Sequence, residues 1–134
     1  MTDAQGALIY TMVLASASDG AMSDSELDSL TEIVSFLPVF RGFDRGRIAE
    51  LSRQSARMLQ DEDGLDKTLD AIEAGLPERL RETAYAIACD VVAADGSASQ
   101  EELRLLEMLR HRLDIDRLHA AGIERGARAR HMTL

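Results

Sequence analysis

Residues 18–27, SDGAMSDSEL, join an Asp-Gly pair to a Ser-x-x-Glu sequence, and residues 94–103, ADGSASQEEL, repeat the arrangement. An Asp-Gly pair is typical of a helix end, because glycine adopts a left-handed conformation without a Cβ penalty. Ser followed three residues later by Glu is a capping box: the serine oxygen accepts an N–H of the first turn, and the glutamate accepts the N–H of the cap residue. Each stretch therefore predicts one helix, a short loop and a second helix.

The two stretches belong to a longer repeat. With Asp19 aligned on Asp95 the offset is 76 residues (95 − 19), and apolar positions continue to match beyond the loop. They fall at i, i+3, i+6 and i+10, which is one stripe of a helix. The residues of this stripe are Leu27, Leu30, Ile33 and Leu37 in the first copy and Leu103, Leu106, Leu109 and Leu113 in the second. Apolar helical segments also precede both loops, so we interpret the sequence as a duplicated helix–loop–helix unit.

Three further segments have helical periodicity: residues 44–59, residues 63–76, and a segment from Asp116 with a thinner apolar stripe. The pair Asp63-Gly64 is predicted to be only the turn that opens its helix, and Pro77 is expected in the first turn of the next one. The prediction is an all-α fold, a compact bundle of about seven helices with two pseudo-symmetric helix–loop–helix halves. We expect one domain over residues 1–134, with a tail that frays from about residue 128.

Charge and composition exclude several classes of function. The formal net charge is −9, and residues 1–40 contain six acids and no Lys or Arg. Such a surface disfavours nucleic acids and anionic membranes, and it favours cations or a basic protein partner. No apolar run approaches the ~20 residues of a spanning helix, and no secretory signal is visible. We therefore expect a cytoplasmic protein without a membrane span.

Few residues are candidates for catalysis. Cys89 is the only cysteine and lies in an apolar helical segment, so it is predicted to be a small core residue. His111, His119 and His131 lie in arginine-containing segments and are expected at the surface. The sequence contains no Gly-rich phosphate loop and no Ser-His-Asp arrangement. The prediction is that the protein is not an enzyme.

Capping does not explain the aspartate of each Asp-Gly pair, because an acid at a helix C-terminus faces the negative end of the helix dipole. The spacing Asp-Gly-x-x-x-x-x-Glu agrees with the second half of an EF-hand loop. The first half is missing, because its ligand positions would hold Ala15 and Ala17 in one copy and Val91 and Ala93 in the other. Each copy thus offers two carboxylates, which suits a weak or shared Ca²⁺ or Mg²⁺ site, while the alternative is that the motifs are only turns and caps.

With both stretches aligned, the sequence resembles the TerB-like family, named for tellurite-resistance protein B. The matching motifs are Ala-Ser-Asp-Gly-x-x-Ser-x-x-Glu-Leu at residues 17–27 and Ala-Ala-Asp-Gly-x-x-Ser-x-x-Glu-Leu at residues 93–103. The second copy ends in Leu-Asp-Ile at residues 113–115, which is also familiar from the family. The resemblance covers about residues 5–125, and the chain departs from the usual motif at Ser18, where alanine is typical.

The resemblance implies a compact all-α domain of about seven helices, an association with resistance to tellurite and other stresses, and no enzymatic activity. The family's acidic motifs are suspected of binding divalent metal, here Ca²⁺, Mg²⁺ or Zn²⁺. The positions that carry this role over are Asp19, Glu26, Asp95 and Glu102. The alternative is a protein-interaction scaffold, in which Asp24, Asp28 and Glu32 contact a basic partner and the motifs serve only as turns and caps.

Overall fold

Seven α-helices form the regular structure of the described residues, which are 2–16, 23–94, 96 and 98–134 of a computed structural model. They are α1 (Ala4–Ser16), α2 (Asp24–Phe36), α3 (Arg47–Gln60), α4 (Gly64–Gly75), α5 (Arg81–Ala93), α6 (Gln100–Arg112) and α7 (Arg117–Arg130). Two 3₁₀ turns, Pro38–Phe40 and Glu78–Leu80, precede α3 and α5. The all-α class and the number of helices predicted from the sequence are confirmed, and no described helix is long and apolar enough to cross a membrane.

Helix α1 lies at the centre of the bundle. Every residue from Gly6 to Ala15 is buried, and the helix packs against α3, α4 and α5. A helix that is covered on all faces needs no polar stripe, which explains why its amphipathic pattern in the sequence is weak. The large side chains of Leu8, Ile9 and Met12 are completely removed from solvent. Helix α1 is therefore the element around which the first half of the chain is packed.

Helix α5 is the second packing centre, and it contacts α1, α6 and α7. Its buried side chains include Tyr85, Ile87, Cys89 and Val92, whereas Val91 is only partly buried. Pro77 was predicted to lie in the first turn of this helix, but it precedes the helix. The 3₁₀ turn lies between them, and the first α-helical residue is Arg81.

The first and last residues of the helices agree with the predicted helix–loop–helix repeat. Shifting α2 by 76 residues gives Gln100–Arg112, which are the bounds of α6. The equivalent residues Gln5 and Arg81 each donate a long-range hydrogen bond, to the Val39 carbonyl at 3.2 Å and to the Leu113 carbonyl at 3.3 Å, but the two acceptors are not equivalent. However, two helices, α3 and α4, lie between the first copy and the second, whereas only α7 follows the second copy in the described part of the chain. The arrangement of the whole chain as two pseudo-symmetric halves stays a prediction.

Helix α7 begins at the predicted position and extends further than expected. Asp116 Oδ1 accepts the backbone N–H groups of Leu118 and His119 at 2.9 and 3.1 Å and so caps the first turn. At the other end, Arg130 Nη2 lies 2.6 Å from Asp90 Oδ1 of α5. The segment that was expected to fray from residue 128 is therefore helical up to Arg130.

Helix α6 is attached to α4 through one arginine. Arg112 forms ion pairs with three carboxylates on one face of α4, which we call the α4 carboxylate cluster. The members of this cluster are Asp66, Asp70 and Glu73. The arginine side chain is about a quarter exposed, so these pairs are partly screened by solvent but bridge two helices that are far apart in the sequence.

Candidate functional site

The two capping boxes have the same geometry. Ser23 Oγ accepts the backbone N–H of Glu26 at 3.1 Å, and Glu26 Oε1 accepts the backbone N–H of Ser23 at 2.9 Å. The same two distances occur between Ser99 and Glu102. The cap residues have nearly identical backbone angles, with φ −74° in both and ψ of 163° and 165°. Capping, predicted from the sequence, is therefore confirmed in both copies.

The capping bond holds each glutamate at the N-terminal edge of its helix and uses only part of its capacity to accept hydrogen bonds. A carboxylate has two oxygens that accept about four hydrogen bonds, and the cap uses one position on Oε1. Within the described residues, Oε2 of Glu26 and of Glu102 has no ion-pair partner. Both side chains are only partly buried, so water and ions reach them.

The aspartates that would complete the predicted metal sites, Asp19 and Asp95, lie outside the described residues. Among the residues that are described, no group of three or more His, Cys, Asp or Glu side chains is arranged to hold a metal ion. In the second loop, Gly96 has φ +83°, which confirms the left-handed glycine expected there. The pairing of each aspartate with its glutamate stays a prediction.

The charge of the two equivalent helices differs, although their caps are the same. Helix α2 carries four acids and no base, and its last turn has no basic residue. Helix α6 ends in Arg110, His111 and Arg112, which suit the negative end of a helix dipole. Asp24, Asp28 and Glu32 of α2 are exposed and lie four residues apart, on one face. We call these three residues the acidic face; it belongs to the first copy alone.

An open groove of about 930 Å³ runs between α5, α6 and α7, and we call it the α5–α7 groove. Tyr85, Cys89 and Val92 of α5 line it, all of them buried. The two walls carry both apolar and charged groups. They include Leu103, Leu106, Glu107 and Arg110 of α6, and Arg117, Ala120, Ala121, Glu124, Ala127 and Arg128 of α7. One end is bordered by Gly96 and Ala98 of the second motif loop, so the groove adjoins one predicted metal motif.

The groove is not predicted by any pattern in the sequence, and one residue that lines it was expected in the core. Leu103 was predicted to face the core as the counterpart of Leu27, but it is 51% exposed. The reason is that α7 presents small side chains opposite α6, including Ala120 and Ala127, so the two helices do not close over Leu103. A signal was present in the sequence: the thin, alanine-rich stripe of α7 does not match the leucine stripe of α6 in volume.

The Tyr85 hydroxyl and the Cys89 thiol at the bottom of the groove are neutral at physiological pH. Tyr85 is 1% exposed and its hydroxyl donates a hydrogen bond to Glu124 Oε2 at 2.5 Å. Burial, together with the bond to Glu124, raises the pKa of the Tyr85 hydroxyl. Cys89 is buried, which confirms its predicted assignment to the core, and this burial raises the pKa of its thiol to about 12. A thiol with such a pKa is a poor nucleophile.

The histidines are exposed, as predicted, and two of them pair with acids. His119 Nδ1 lies 2.8 Å from Glu82 Oε2, and His131 Nε2 lies 3.5 Å from Asp90 Oδ1. The hydrogen bond to Glu82 raises the pKa of the His119 imidazole. These contacts join α7 to α5, which is a structural role. That the protein is not an enzyme stays a prediction.

Comparison with known proteins gives one match. The family model described as tellurite resistance protein TerB matches residues 5–124 of the 134-residue chain. No curated protein and no solved structure gives a match to the chain. The matched range contains both capping boxes and the first eight of the fourteen residues of α7, and it agrees with the range of the resemblance seen in the sequence.

Proposed function

Because the chain belongs to the TerB family, we propose that it is a non-enzymatic stress-response protein, associated with resistance to tellurite, whose two motifs bind a divalent cation. The proposed ligands are the carboxylates of Asp19 and Glu26 in the first copy and of Asp95 and Glu102 in the second. The cation is Ca²⁺, Mg²⁺ or Zn²⁺. A cytoplasmic location stays a prediction from the sequence.

One observation carries the proposal: the two capping boxes hold Glu26 and Glu102 in the same position, next to an Asp-Gly loop. In each box one oxygen is used by the cap, and the other has no ion-pair partner among the described residues. Carboxylate oxygens are the usual protein ligands of Ca²⁺ and Mg²⁺. A cation between the aspartate and the glutamate would also neutralise the unfavourable aspartate at the end of the preceding helix.

The proposal is tested by thermal unfolding, followed by far-UV circular dichroism, of protein treated with EDTA and then supplied with one of the three ions. An ion present at 100 times its Kd stabilises the folded state by about 2.7 kcal/mol, which raises Tm by roughly 10 °C for a domain of this size. We expect such a rise for one ion.

The decisive variant is Glu26→Gln/Glu102→Gln. Glutamine at this position still accepts the cap N–H, so the capping box survives while the charge is lost. We expect this variant and Asp19→Asn/Asp95→Asn to lose the response to the ion. The matched control is Asp28→Asn/Glu32→Gln, which removes two charges from the acidic face and should keep the full response.

The interaction scaffold predicts the opposite pattern. Under that alternative no ion raises Tm, and the motif variants change only stability. Binding to a basic partner would then depend on the acidic face and be lost on Asp28→Arg or Glu32→Arg, with Asp19→Asn unaffected. A wild-type protein that shows no ion-specific rise in Tm would overturn the metal proposal.

A further inference from the structure

Two helices expose a large apolar side chain on their outer faces. Phe36, the last residue of α2, is 82% exposed, and Leu118, the second residue of α7, is 79% exposed. They are the two most exposed large apolar side chains in the described helices. Helix α2 packs against α1 and the turn Pro38–Phe40, and α7 packs against α5, so the outer side of each helix is left to solvent in a single copy.

The outer face of α2 is negatively charged up to its apolar end. Phe36 follows Glu32 by four residues, which is the spacing that also separates the members of the acidic face. Helix α2 contains no Lys, Arg or His. None of the three acids forms an ion pair within the described residues. A partner that covers this face must therefore supply positive charge along the helix and an apolar group at its C-terminal end.

The outer face of α7 has the complementary composition. Four of its exposed positions are separated by four, three and four residues, which places them on one stripe of the helix. The residues of this stripe, which we call the α7 outer face, are Leu118, Gly122, Arg125 and Ala129. The only acid of α7, Glu124, accepts the hydrogen bond of Tyr85 on the inner side of the helix. Arg125 has no ion-pair partner among the described residues, so its charge is available to a partner.

Gly122, in the middle of the α7 outer face, is not explained by the folding of one copy. Glycine destabilises the interior of a helix relative to alanine. Among the described residues, nothing lies within 4 Å of a Cβ atom built at this position, so no contact within the chain requires a small residue there. The distance between two packed helices depends on the side chains at their contact. A second helix that packs on this face would approach most closely at the glycine.

The stripe on α7 has a counterpart on α2 with the same spacing. The exposed residues of α2 at intervals of four, three and four positions are Ser25, Ser29, Glu32 and Phe36. This order of intervals is the same in both directions, so the two stripes come into register when the helices run antiparallel and Phe36 lies against Leu118. A parallel pair would place Phe36 against Ala129 and would leave Leu118 against a serine. The antiparallel orientation is therefore the one that joins the two exposed apolar side chains.

The same register also brings opposite charges together. Arg125 falls opposite Ser29, and the acids on either side of it are Asp28 and Glu32 of the acidic face. A guanidinium group has five N–H donors and can bind more than one carboxylate. Gly122 falls opposite Glu32, where the missing side chain leaves room for the two helices to approach. Antiparallel helices also place opposite ends of their dipoles side by side, so apolar contact, charge and space agree on one orientation.

We propose that a second copy of this chain docks its α7 outer face on the outer side of α2. Phe36 of one copy and Leu118 of the other cover each other from water, and Arg125 bridges Asp28 and Glu32. Two copies related by a twofold axis form this contact twice, whereas any other arrangement extends it into a ring or a filament. None of the proposed cation ligands belongs to either face, so self-association is independent of the proposed metal binding.

The test is sedimentation velocity of the full-length protein in EDTA at increasing concentration. We expect the average mass to rise above that of one chain. Arg125→Glu and Asp28→Arg/Glu32→Arg should each remain a single chain at concentrations where the wild type associates, because like charges then face one another. The matched control Arg104→Glu reverses an exposed arginine of α6 that lies on neither face, and it should associate as the wild type does.

A mixture of the two charge variants is the decisive experiment. The Arg125→Glu variant keeps an acidic α2, and the Asp28→Arg/Glu32→Arg variant keeps a basic α7, so each contact between the two variants joins opposite charges again. We expect the mixture to associate although neither variant does so alone. Phe36→Ser should weaken self-association at least tenfold. Gly122→Gln should do the same but raise the Tm of the dilute protein, because glutamine favours the helix.

Three results overturn the proposal. A wild-type protein that remains a single chain at every concentration would leave the acidic face to a partner of another sequence. Association that persists in both charge variants, each checked for native helix content by far-UV circular dichroism, would place the contact between copies elsewhere. A mixture of the two variants that does not associate would show that Arg125 and the acidic face do not meet.

Discussion

Gly64 provides a sharp test of the packing between α3 and α4. It is the first residue of α4 and is buried. A Cβ atom at this position would lie 2.4 Å from the carbonyl oxygen of Met58 and 2.6 Å from that of Leu59, whereas ordinary contact begins near 3.4 Å. Both oxygens belong to the backbone of the last turns of α3, so no side chain can rotate away. Glycine is required here by the close approach of two helices.

The substitution Gly64→Ala should therefore destabilise the protein. To relieve the contact, the end of α3 must move by about 1 Å (3.4 − 2.4) relative to α4, and both helices also pack against α1. Overpacking of this kind costs about 1–3 kcal/mol. The gain in helix propensity from glycine to alanine is at most about 1 kcal/mol and does not offset the larger values. We expect a net loss of about 1–2 kcal/mol, which lowers Tm by roughly 4–7 °C.

The same substitution at Gly122 is the control. Nothing lies within 4 Å of a Cβ atom built there, in the middle of α7. Gly122→Ala should therefore stabilise the protein by about 0.5–1 kcal/mol through helix propensity alone. Both variants are measured by thermal unfolding and by urea titration with the m-value monitored. A Gly64→Ala variant as stable as the wild type, or a loss of equal size at Gly122, would refute the reasoning.

Three further predictions concern single side chains. Arg112→Ala should lower the free energy of unfolding by about 1 kcal/mol, because it leaves the α4 carboxylate cluster without its counter-charge. The loss is measured by urea titration and should shrink in 1 M NaCl, which screens the ion pairs. A loss that does not depend on salt would contradict this explanation. His119 should titrate above its usual pKa by NMR, and Glu82→Gln should lower that pKa. The ion pair between His119 and Glu82 stabilises the fold below pH 6.5, and this stabilisation disappears as the pH rises through the pKa of His119 in the folded protein. An unchanged pKa of His119 in the Glu82→Gln variant would exclude the pair. The Cys89 thiol should react with iodoacetamide at pH 8 only after unfolding, and a native rate close to the unfolded one would contradict its burial.

The elements that the sequence predicted correctly depend on neighbours in the chain. The capping boxes join residues three apart, and their bonds recur with the same distances at Ser23 and Ser99. The bounds of α2 and α6 follow from those caps, and the start of α7 follows from the aspartate that precedes it. Interactions over one helical turn are encoded locally, so a pattern in the sequence is sufficient to predict them.

The predictions that failed or fell short depend on which helix faces which. Leu103 has the sequence context of a core residue, and it is exposed because α7, which begins fourteen residues later, is lined with alanine. Gly64 opens α4, as predicted, but the close approach of the Met58 and Leu59 carbonyls that requires a glycine there was not anticipated. The same distinction applies to the candidate site. The capping role of the two glutamates was predicted from the sequence, whereas the groove beside the second loop was not.

By itself, the sequence determined the all-α class, the helix pairs with their caps, and the concentration of acid in the first forty residues. Those features depend on the helix propensity of each residue, on hydrogen bonds between residues a few positions apart, and on the number of charged residues in a segment. Only the tertiary structure decided that α1 is covered on every side, that Arg112 connects α6 to α4, and that α5, α6 and α7 leave an open groove. These features depend on distances between residues far apart in the sequence, which side-chain volumes across the helix interfaces set.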